Sequence, residues 1–291
     1  LVSVIRKKVL FMEKLQNTNA NREKWIKKVE DLIKVSGKSR ITFNNYKSHI
    51  NRFFNYYSTD TIFNNILEDE ILEFIKSEYL NLNRASDTVN IAICSIRYLY
   101  SVCFKIELNK NLLPNVKRIQ TIPTILPKED FIKIVNGEKN LKNKCFLLLA
   151  FCCGLRASEV VSIKIENINA KEHKLKVLGK RGKERYTILP DIVIKFLRLY
   201  CKYNNITRKT GYLFKGTGSL EHPTRACPTT YFGTIKKEYN LPKTVTFHSL
   251  RHSFATYFLM NGGNLITLQS LLGHSNLNTT RRYIHFSQDY N

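Results

Sequence analysis

Apolar residues recur three and four positions apart along the first third of the chain, which is the spacing of α-helices that bury one face. Four such segments follow one another, and Ser39 is predicted to cap the second of them. The positions predicted to face inward are Trp25, Val29, Leu32 and Ile33 in the first segment, Phe43, Tyr46, Ile50, Phe53 and Phe54 in the second, Ile71, Leu72, Ile75 and Tyr79 in the third, and Val89, Ile93, Ile96, Leu99 and Tyr100 in the fourth. Short polar connections between four amphipathic helices predict a small helical bundle.

The pattern changes at residue 114. The stretch 114–127 contains three prolines and no helical period, which predicts a linker between two domains. The elements predicted beyond it are helices that open at Pro127 and cover 141–153, 191–203, 229–238 and most of the last 45 residues, a β-hairpin of 174–178 with 185–189, and a short strand at 212–214. The expected fold class is therefore mainly α with a small β-hairpin or sheet.

A length of 291 residues suits two domains of ordinary size, each able to bury its own core. The predicted division is an unassigned N-terminal extension at 1–20, a helical domain at 21–113, the linker at 114–127 and a second, α+β domain at 128–291. The longest apolar run, Cys145–Ala157, is broken by Gly154 and Arg156 and is too short to span a bilayer. It predicts a buried helix.

The charge of the chain is strongly positive and unevenly shared. The formal net charge is +24, with 20 basic and 12 acidic side chains in residues 1–120 and 27 and 11 in residues 121–291. The surplus is therefore +8 in the first part and +16 in the second. Such a surplus favours a polyanion as partner, with nucleic acid as the first expectation and an anionic membrane surface as the alternative.

Seven cysteines are scattered through apolar segments, with no CxxC motif and no metal-like cluster. An odd number in this arrangement is typical of a reducing compartment, so we expect a cytoplasmic protein. Small core residues are the expected role of most of these cysteines. A catalytic cysteine is not expected.

Five short strings in the second part of the chain carry spaced basic residues and one tyrosine. They are GLRASE (154–159), LGKRGKER (178–185), FHSLRH (247–252), LLGHSN (271–276) and TTRRYIHF (279–286). A planar guanidinium matches two phosphoryl oxygens of a phosphodiester. Neighbouring positive charge favours the phenolate form of a tyrosine, which makes it a nucleophile. The combination predicts phosphoryl transfer on a nucleic-acid backbone through a covalent phosphotyrosine.

The candidate catalytic residues are Arg156, Lys180, His248, Arg251, His274 and Tyr283. Arg156 ends a buried element, and Glu159, one turn on, is expected either to orient Arg156 or a histidine or to be an exposed helix residue. His248 and Arg251 are three positions apart at the start of a helix that Thr246 is predicted to cap. A helix N-terminus offers partial positive charge and free N–H groups, which suit a phosphate.

Two more candidates come from the last part of the chain. His274 lies just past an apolar helical pattern and a glycine, where it is expected either as a helix cap or as a donor to a phosphate. Tyr283 is singled out of 15 tyrosines by its position nine residues after His274. His252 is expected to point away from the phosphate-binding face, as a structural hydrogen-bonding residue.

In order and spacing these strings resemble the tyrosine recombinases of the phage-integrase and Xer type, over about residues 20–291. The resemblance implies a site-specific recombinase that cleaves and rejoins duplex DNA through a 3′-phosphotyrosyl intermediate. It implies a two-domain architecture, in which a helical core-binding domain clamps DNA opposite an α+β catalytic domain. It also implies a tetramer on two DNA sites and no requirement for a cofactor, a metal or ATP.

The resemblance further implies roles for individual residues. Arg156, Arg251, His274 and His248 hold the non-bridging oxygens, Tyr283 attacks the phosphorus, and Lys180 protonates the leaving 5′ oxygen. His248 is the expected acceptor of the Tyr283 proton. Lys183 and Arg185 are expected as DNA-phosphate contacts or solvated turn charges. Lys183 also stays an alternative general acid, because Arg181 stands where the family usually has glycine.

The ends of the sequence differ from the commonest pattern of that family. The roughly 20 residues before the bundle are too few for an arm-type DNA-binding domain, which favours a two-domain recombinase such as a Xer-like resolvase or a mobile-element enzyme. Eight residues follow Tyr283, where the family commonly continues with a helix that docks on a neighbouring subunit. We expect that this docking is either absent or achieved otherwise.

Two other functions stay open on the sequence. A type IB topoisomerase-like enzyme that nicks and religates DNA shares the Arg/Lys/His/Tyr chemistry, but it would need neither a defined site nor synapsis. A DNA-binding regulator with a decayed site is the non-enzymatic alternative, although no catalytic position is visibly lost. The helical bundle by itself would equally suit a protein-docking module.

Overall fold

A computed structural model describes residues 15–117, 124–179, 182–277 and 279–283. The chain divides into two compact units, one up to residue 121 and the other from residue 122. Each unit buries a hydrophobic core of its own. Most of the extension predicted at 1–20, the middle of the linker predicted at 114–127, and Lys180 lie outside the described residues.

The described part of the first unit is built from four helices, as the apolar spacing predicts. They are α1 (Asn19–Val35), α2 (Arg40–Tyr56), α3 (Glu68–Ile75) and α4 (Ser86–Leu99). Lys76–Leu80 continues α3, and Tyr100–Phe104 continues α4, as π-helical turns. The second helix begins where predicted, because the Ser39 hydroxyl accepts a hydrogen bond from the Thr42 N–H at 3.3 Å.

The core of the first unit is rich in aromatic rings. Phe63, in a 3₁₀ turn between α2 and α3, is fully buried and stacks on Phe104 with ring centroids 5.5 Å apart. Trp25 of α1 packs edge-on against Phe104 at 4.8 Å, and Phe53 of α2 stacks on Phe63 at 5.4 Å. Helices α1 and α2 and the end of α4 therefore converge on one ring cluster, and the burial of such large rings stabilises the bundle.

The second unit combines helices with an antiparallel sheet. Its helices are α5 (Lys128–Gly137), α6 (Leu141–Cys152), α7 (Ala157–Val161), α8 (Asp191–Tyr203), α9 (Ala226–Glu238), α10 (Phe247–Met260) and α11 (Leu265–Leu272), and residues 279–283 are also helical. The sheet has the order β1 (Ile168–Asn169), β2 (Lys174–Leu178) and β3 (Glu184–Ile188). Leu175 pairs with Thr187, and Leu178 with Glu184 next to the hairpin turn.

Helix α6 lies inside the core of the second unit. Every residue from Cys145 to Ala150 is buried, and the helix packs against α8 and α10. The run from residue 145 to residue 150 is apolar on all sides and therefore needs cover on all sides, which this packing provides. In the described parts of the chain, no helix is both long enough and apolar enough to cross a membrane.

The sheet differs from the prediction in two places. Strand β1 has two residues, which is too short for a visible alternation, and the pattern does not predict it. The strand predicted at 212–214 is instead a single bridge between Lys164 and Tyr212. Leu213 and Phe214 are nevertheless fully buried, so this apolar run marks burial against the core rather than a strand of the sheet. The predicted hairpin is present, with β3 beginning one residue earlier.

Candidate active site

A tight turn between α6 and α7 positions the first candidate cation. Gly154 has a φ of 67°, and a Cβ at this position would lie 2.5 Å from the Phe254 ring, so the turn requires glycine. The turn makes Arg156 the N-cap residue of α7, where its backbone N–H donates to Glu159 Oε2 at 2.8 Å. The GLRASE string is thus a glycine turn followed by a capped helix start.

Glu159 is the centre of the site, with a side chain that is 5% exposed. Arg185 binds it at two points, from Nη1 to Oε1 at 2.8 Å and from Nη2 to Oε2 at 2.9 Å. Arg156 Nη1 donates to Oε1 at 2.9 Å, and Arg251 Nη1 lies 3.5 Å from Oε2. One buried carboxylate therefore gathers guanidiniums from the start of α7, from β3 and from α10. The contact with Arg156 agrees with the sequence-based expectation.

The charge of Glu159 follows from these partners. Burial alone would raise the pKa of the carboxyl group, because it disfavours the charged form. The hydrogen bond and charge of Arg185, the charge of Arg251 and the Arg156 N–H outweigh that effect and lower the pKa to about 2. Glu159 is consequently a carboxylate at any pH at which the protein would work.

Arg251 is the most deeply buried of the three cations, with a side chain that is 1% exposed. Its Nη1 donates to the Gly154 carbonyl at 2.7 Å, and its Nη2 donates to the Leu272 carbonyl at 2.6 Å and to His274 Nε2 at 3.2 Å. Burial lowers the pKa of Arg251 to about 9, which still leaves the guanidinium charged at neutral pH. These contacts fix its orientation before any ligand arrives.

The C-terminus of α11 is capped by the same arginines. The Leu271 carbonyl accepts a hydrogen bond from Arg185 Nε at 2.8 Å, and the Leu272 carbonyl accepts one from Arg251 Nη2 at 2.6 Å. Carbonyls in the last turn of a helix lack intrahelical donors, so cations are favoured there. Gly273 ends the helix with a φ of 65°, and a Cβ on it would lie 2.7 Å from Arg185 Cδ. The glycine of the LLGHSN string therefore serves both the turn and the close approach of Arg185.

His274 connects this helix end to the last described residues. A guanidinium can only donate, so Nε2 of His274 accepts from Arg251. Nδ1 then carries the hydrogen and donates to Thr280 Oγ1 at 3.0 Å. Burial, followed by the charges of Arg251 and Arg156, lowers the pKa of His274 to about 3, so the ring is neutral. In this arrangement the ring holds Arg251 in place, whereas the sequence-based alternatives were a helix cap and a phosphate donor.

His248 lies one turn before Arg251 on α10, near the start of the helix, as predicted. Thr246 is the N-cap residue, and its N–H donates to Ser249 Oγ at 3.0 Å. His248 is exposed on one side, but desolvation by the surrounding protein, followed by the charges of Arg251 and Arg156, lowers its pKa to about 4. A neutral imidazole is therefore available at this end of the site.

Tyr283 is buried against α10, beside His252. Its side chain is 2% exposed and packs with Phe254, Ala255, Leu268 and Leu272. Its Oη lies 2.7 Å from His252 Nδ1. Burial raises the pKa of the Tyr283 phenol, although Arg251, Arg282 and Arg156 act in the opposite direction, so the phenol is protonated.

His252 is the residue that sequence reasoning missed. The sequence predicts a structural hydrogen-bonding residue that points away from the candidate site, yet His252 hydrogen-bonds the candidate nucleophile, and its ring lies edge-on to that of His248 at 4.6 Å. The signal for it was present in the sequence, because residues four apart on a helix share a face. His248 and His252 are such a pair.

Arg185 also differs from the prediction of a phosphate contact or a solvated turn charge. Its side chain is 10% exposed, and Nε and both Nη atoms bind within the protein. Strand alternation is the reason, since Arg185 and Thr187 share the inner face of β3 and Thr187 is 1% exposed. Lys183, in the turn, is exposed as expected, while Lys180 lies outside the described residues.

The site therefore unites side chains that are far apart in the sequence. One connected set of contacts contains the candidates Arg156, Glu159, Arg251 and His274, together with Arg185. A second, neighbouring set contains His248 and His252 of α10 and the phenol of Tyr283. Within the described ranges, no group of three or more His, Cys, Asp or Glu side chains is placed to hold a metal ion.

Two family models match the chain. The model described as the phage integrase family matches residues 126–289, which is more than half of the chain. The model described as the phage integrase N-terminal SAM-like domain matches residues 25–110.

Individual proteins match over most of their length. A tyrosine recombinase of Thermosipho africanus is 28% identical over 271 residues, which cover 87% of this chain and 92% of that protein. The tyrosine recombinase XerA of Pyrococcus horikoshii is 31% identical over 260 residues, which cover 86% of this chain and 85% of that protein. A crystal structure of the XerH site-specific recombinase, in a post-cleavage complex with a palindromic difH substrate, has a similar fold, with a TM-score of 0.72 and 22% identity over 94% of this chain and 82% of that one.

Proposed function

We propose a catalytic role for each of the clustered side chains, on the premise that the chain belongs to the phage integrase family and is a tyrosine recombinase. It is a DNA recombinase that cleaves and rejoins strands at specific sites. Tyr283 is the proposed nucleophile, and Arg156 and Arg251 are the proposed main contacts of the scissile phosphate. The observation that carries this assignment is the gathering of three guanidiniums on Glu159, beside the helix against which the Tyr283 phenol lies.

The charge of the cluster suits the reaction. Three guanidiniums and one carboxylate leave two net positive charges, next to histidines that are neutral. A phosphodiester carries one negative charge, and a second develops on its non-bridging oxygens as the phosphorus becomes pentacoordinate. Fixed donors aimed at such oxygens stabilise the transition state, and loss of one costs roughly 10²–10³-fold in rate. Arg156, with a side chain that is 38% exposed, is the most open of the three arginines to a ligand.

The covalent step exchanges one phosphate ester for another. Tyr283 Oη bonds to phosphorus, the bond from phosphorus to the 5′ oxygen breaks, and a 3′-phosphotyrosyl enzyme and a 5′ hydroxyl result. The phenolic proton passes to a histidine of α10, and Lys180 supplies a proton to the leaving oxygen. Attack by the 5′ hydroxyl of another strand reverses these steps and joins the strands. Each step replaces one phosphate ester bond by another, so the exchange itself consumes no ATP.

The remaining histidines have separate proposed tasks. His274 keeps Arg251 in place by accepting its Nη2 hydrogen, and Thr280 fixes the tautomer that makes this possible. His248, at the free N-terminus of α10, is available to a non-bridging oxygen. Lys183, exposed in the hairpin turn, is a proposed contact to a DNA phosphate outside the reaction centre.

The division of the chain supports a division of labour. We assign residues 21–113 to a core-binding domain that clamps DNA, 114–127 to a linker and 128–291 to the catalytic domain. Two separate cores support this assignment, and the clustered site lies entirely in the second unit. A net charge of +24 supports duplex DNA as the partner. A tetramer on two recombination sites is the proposed assembly, and seven free thiols support a cytoplasmic location.

A suicide substrate tests the nucleophile. The target site is first recovered by selecting bound duplexes from a random pool, and a nick is then placed close to the cleavage position. The short 5′-hydroxyl fragment diffuses away after cleavage, so the covalent protein–DNA adduct accumulates and is seen on a denaturing gel. The wild type is expected to form the adduct, and Tyr283→Phe none.

The control for this experiment is a tyrosine far from the site. Tyr203, at the end of α8, is 78% exposed, and Tyr203→Phe is expected to form the adduct at the wild-type rate. An adduct that persists in Tyr283→Phe would contradict the assignment of the nucleophile. Requirement for a defined site separates the recombinase from a topoisomerase-like enzyme.

A further inference from the structure

His252 is the side chain that touches the phenol of the proposed nucleophile, through the 2.7 Å contact between Nδ1 and Tyr283 Oη. We propose that His252, rather than His248, is the general base that takes the phenolic proton when Tyr283 attacks DNA. The inference rests on the proposed function of Tyr283 and deepens it, because it names the acceptor of the proton.

The hydrogen bond runs from the phenol to the imidazole. Tyr283 is 2% exposed, and a buried hydroxyl hydrogen without an acceptor is unfavourable. Among the described residues, His252 Nδ1 is the hydrogen-bond partner that the structure gives to Oη. Nδ1 therefore accepts, and the ring hydrogen of the neutral imidazole is on Nε2. This is the arrangement that a base needs before it removes a proton.

His248 occupies a different position. It contacts the edge of the His252 ring at a centroid distance of 4.6 Å, but within the described part of the chain it has no hydrogen bond to the phenol. Helical geometry explains the difference, because His248 lies one turn nearer the N-terminus of α10. It is thus closer to the free N–H groups that suit a phosphate, and His252 is closer to the apolar pocket that holds Tyr283.

The ionisable groups around His252 set its basicity. They come from α10, from the end of α11 and from the last described helical turn, and they are His248, Arg251, His274, Arg282 and Tyr283. Burial, followed by His248, Arg282, Arg251 and His274, lowers the pKa of His252 to about 3, which keeps the ring neutral and able to accept. A phosphodiester bound beside Arg251 brings negative charge that offsets the nearby cations. Binding of DNA therefore raises the basicity of His252 at the moment when it is needed.

The step is balanced. The phenolic O–H bond breaks and an N–H bond forms at Nδ1 of His252, while Oη bonds to phosphorus and the 5′ oxygen leaves with a proton from the general acid. In the joining step, a 5′ hydroxyl bonds to phosphorus and gives its proton to the deprotonated general acid, while the imidazolium returns its proton to the phenolate oxygen as the phosphotyrosine bond breaks. No further reactant is required.

The test isolates proton removal from leaving-group protonation. A suicide duplex with sulfur in place of the bridging 5′ oxygen releases a thiolate, which needs no general acid, so its cleavage rate reports the attack of Tyr283. His252→Asn keeps an acceptor oxygen at the position of Nδ1 but is not basic. His252→Ala removes both properties and leaves space for added imidazole.

The base assignment predicts three results with this substrate. At about pH 7, both variants cleave roughly 10²–10⁴-fold more slowly than the wild type. Their rates rise about tenfold per pH unit between about pH 6 and 9, as expected when hydroxide must remove the proton, while the wild-type rate stays flat. Imidazole accelerates His252→Ala but not His252→Asn.

A structural role would give the opposite pattern. If His252→Asn cleaves at the wild-type rate, or if the cleavage rates of both variants do not change with pH, the proposal is overturned. The hydrogen bond to Tyr283 would then be sufficient for cleavage without a base at this position. Thermal unfolding and DNA binding of each variant confirm that it is folded, and if His252→Ala does not fold, His252→Asn and its pH profile decide the question. Failure of the proposed function itself is recognised separately, by an adduct that persists in Tyr283→Phe.

Discussion

Arg185 and Glu159 form a two-point ion pair in the interior of the second unit, with Nη1–Oε1 at 2.8 Å and Nη2–Oε2 at 2.9 Å between side chains that are 10% and 5% exposed. Arg185 also donates from Nε to the Leu271 carbonyl at 2.8 Å. A single side chain thus ties β3 to α7 and to the end of α11. Because β3 follows the hairpin turn and Arg156 caps the start of α7, the pair links the turn to the cations that we propose to bind phosphate.

Replacement of Arg185 is expected to destabilise the second unit. Arg185→Ala leaves the Glu159 carboxylate buried with fewer donors, and breaking a buried pair in this way costs about 3–5 kcal/mol. Arg185→Lys is expected to recover part of the loss, since an ammonium keeps the charge but not the two-point geometry. Urea unfolding measures both. Lys174 provides the control, because its ion pair with Glu172 is exposed and Lys174→Ala is expected to leave stability unchanged. Equal losses at the two positions would contradict the importance of the buried pair.

Glu159→Gln is expected to impair cleavage more than DNA binding. The amide keeps the shape of the side chain but no longer neutralises or orients three guanidiniums, so the scissile phosphate loses aligned donors. We expect a fall in cleavage rate of roughly 10²-fold or more, measured with a saturating suicide duplex. Glu172→Gln, an exposed carboxylate in the same unit, is the matched control. A cleavage rate of Glu159→Gln equal to that of the control would show that the carboxylate is dispensable.

The depressed pKa of Glu159 predicts a loss of stability in acid. The folded protein holds this pKa at about 2, below its usual value of 4.5, so the unfolded chain binds the proton more readily. The stabilisation is fully present above about pH 4.5 and is lost as the pH falls toward 2, for a total of about 3 kcal/mol. Urea unfolding of the wild type and of Glu159→Gln over this range isolates the effect, because the histidines are common to both. If the difference in free energy of unfolding between the wild type and Glu159→Gln does not change with pH, the predicted contribution of Glu159 is wrong.

The three histidines at the site are expected to stay neutral well below the usual pH range of histidine titration. Burial is the first cause of the lowered pKa values of His248, His252 and His274, at about 4, 3 and 3. The unfolded chain binds these protons near pH 6.5, so the free energy of unfolding should begin to fall as the pH drops below that value. NMR of the ring carbons should show neutral imidazoles at pH 5.5. Titration of all three between pH 6 and 7 would be the contrary result.

Gly154→Ala is expected to lower the free energy of unfolding by more than the left-handed backbone conformation alone explains. Gly154 and Gly218 have φ values of 67° and 59°, but a Cβ on Gly154 meets the Phe254 ring at 2.5 Å, whereas a Cβ on Gly218 has open space. Both changes should lose about 1–2 kcal/mol from the backbone. Gly154→Ala should lose about 1–3 kcal/mol more from overpacking. If thermal unfolding shows the same loss of stability in Gly154→Ala and Gly218→Ala, then the Phe254 ring moves away from the added Cβ without destabilising the protein.

DNA binding is expected to weaken steeply with salt. Lys and Arg residues that neutralise phosphates release condensed counterions, so the logarithm of the binding constant should fall linearly with the logarithm of salt concentration. A protein with six to ten phosphate contacts loses roughly 10³–10⁵-fold in affinity between 50 and 200 mM salt. Electrophoretic mobility shifts over this range measure the slope. Lys183→Ala, in the exposed turn, should lower the slope by about one unit, whereas a flat salt response would count against a DNA partner.

Most helices of both units could be predicted because their determinants are local. The spacing of apolar residues in α2 and its Ser39 cap lie within the helix or next to it, and so does the apolar run of α6. The segment at 212–214 shows the limit of this logic. Its apolar residues are buried as expected, yet the strand they suggested is one bridge, because pairing depends on a distant partner segment.

The candidate site divides in the same way. The identity and order of the cations and the tyrosine can be read from the chain alone, since motif spacing and helix starts are properties of short strings. The folded chain was needed to show that Glu159 binds Arg185 and Arg251, which are 26 and 92 positions away. It was also needed to show that His252, rather than His248, contacts Tyr283. Such contacts are not local, because the packing of separate helices and strands determines which side chains meet. Strand alternation turned Arg185 inward, and the placement of residues 279–283 against α10 brought the phenol to His252.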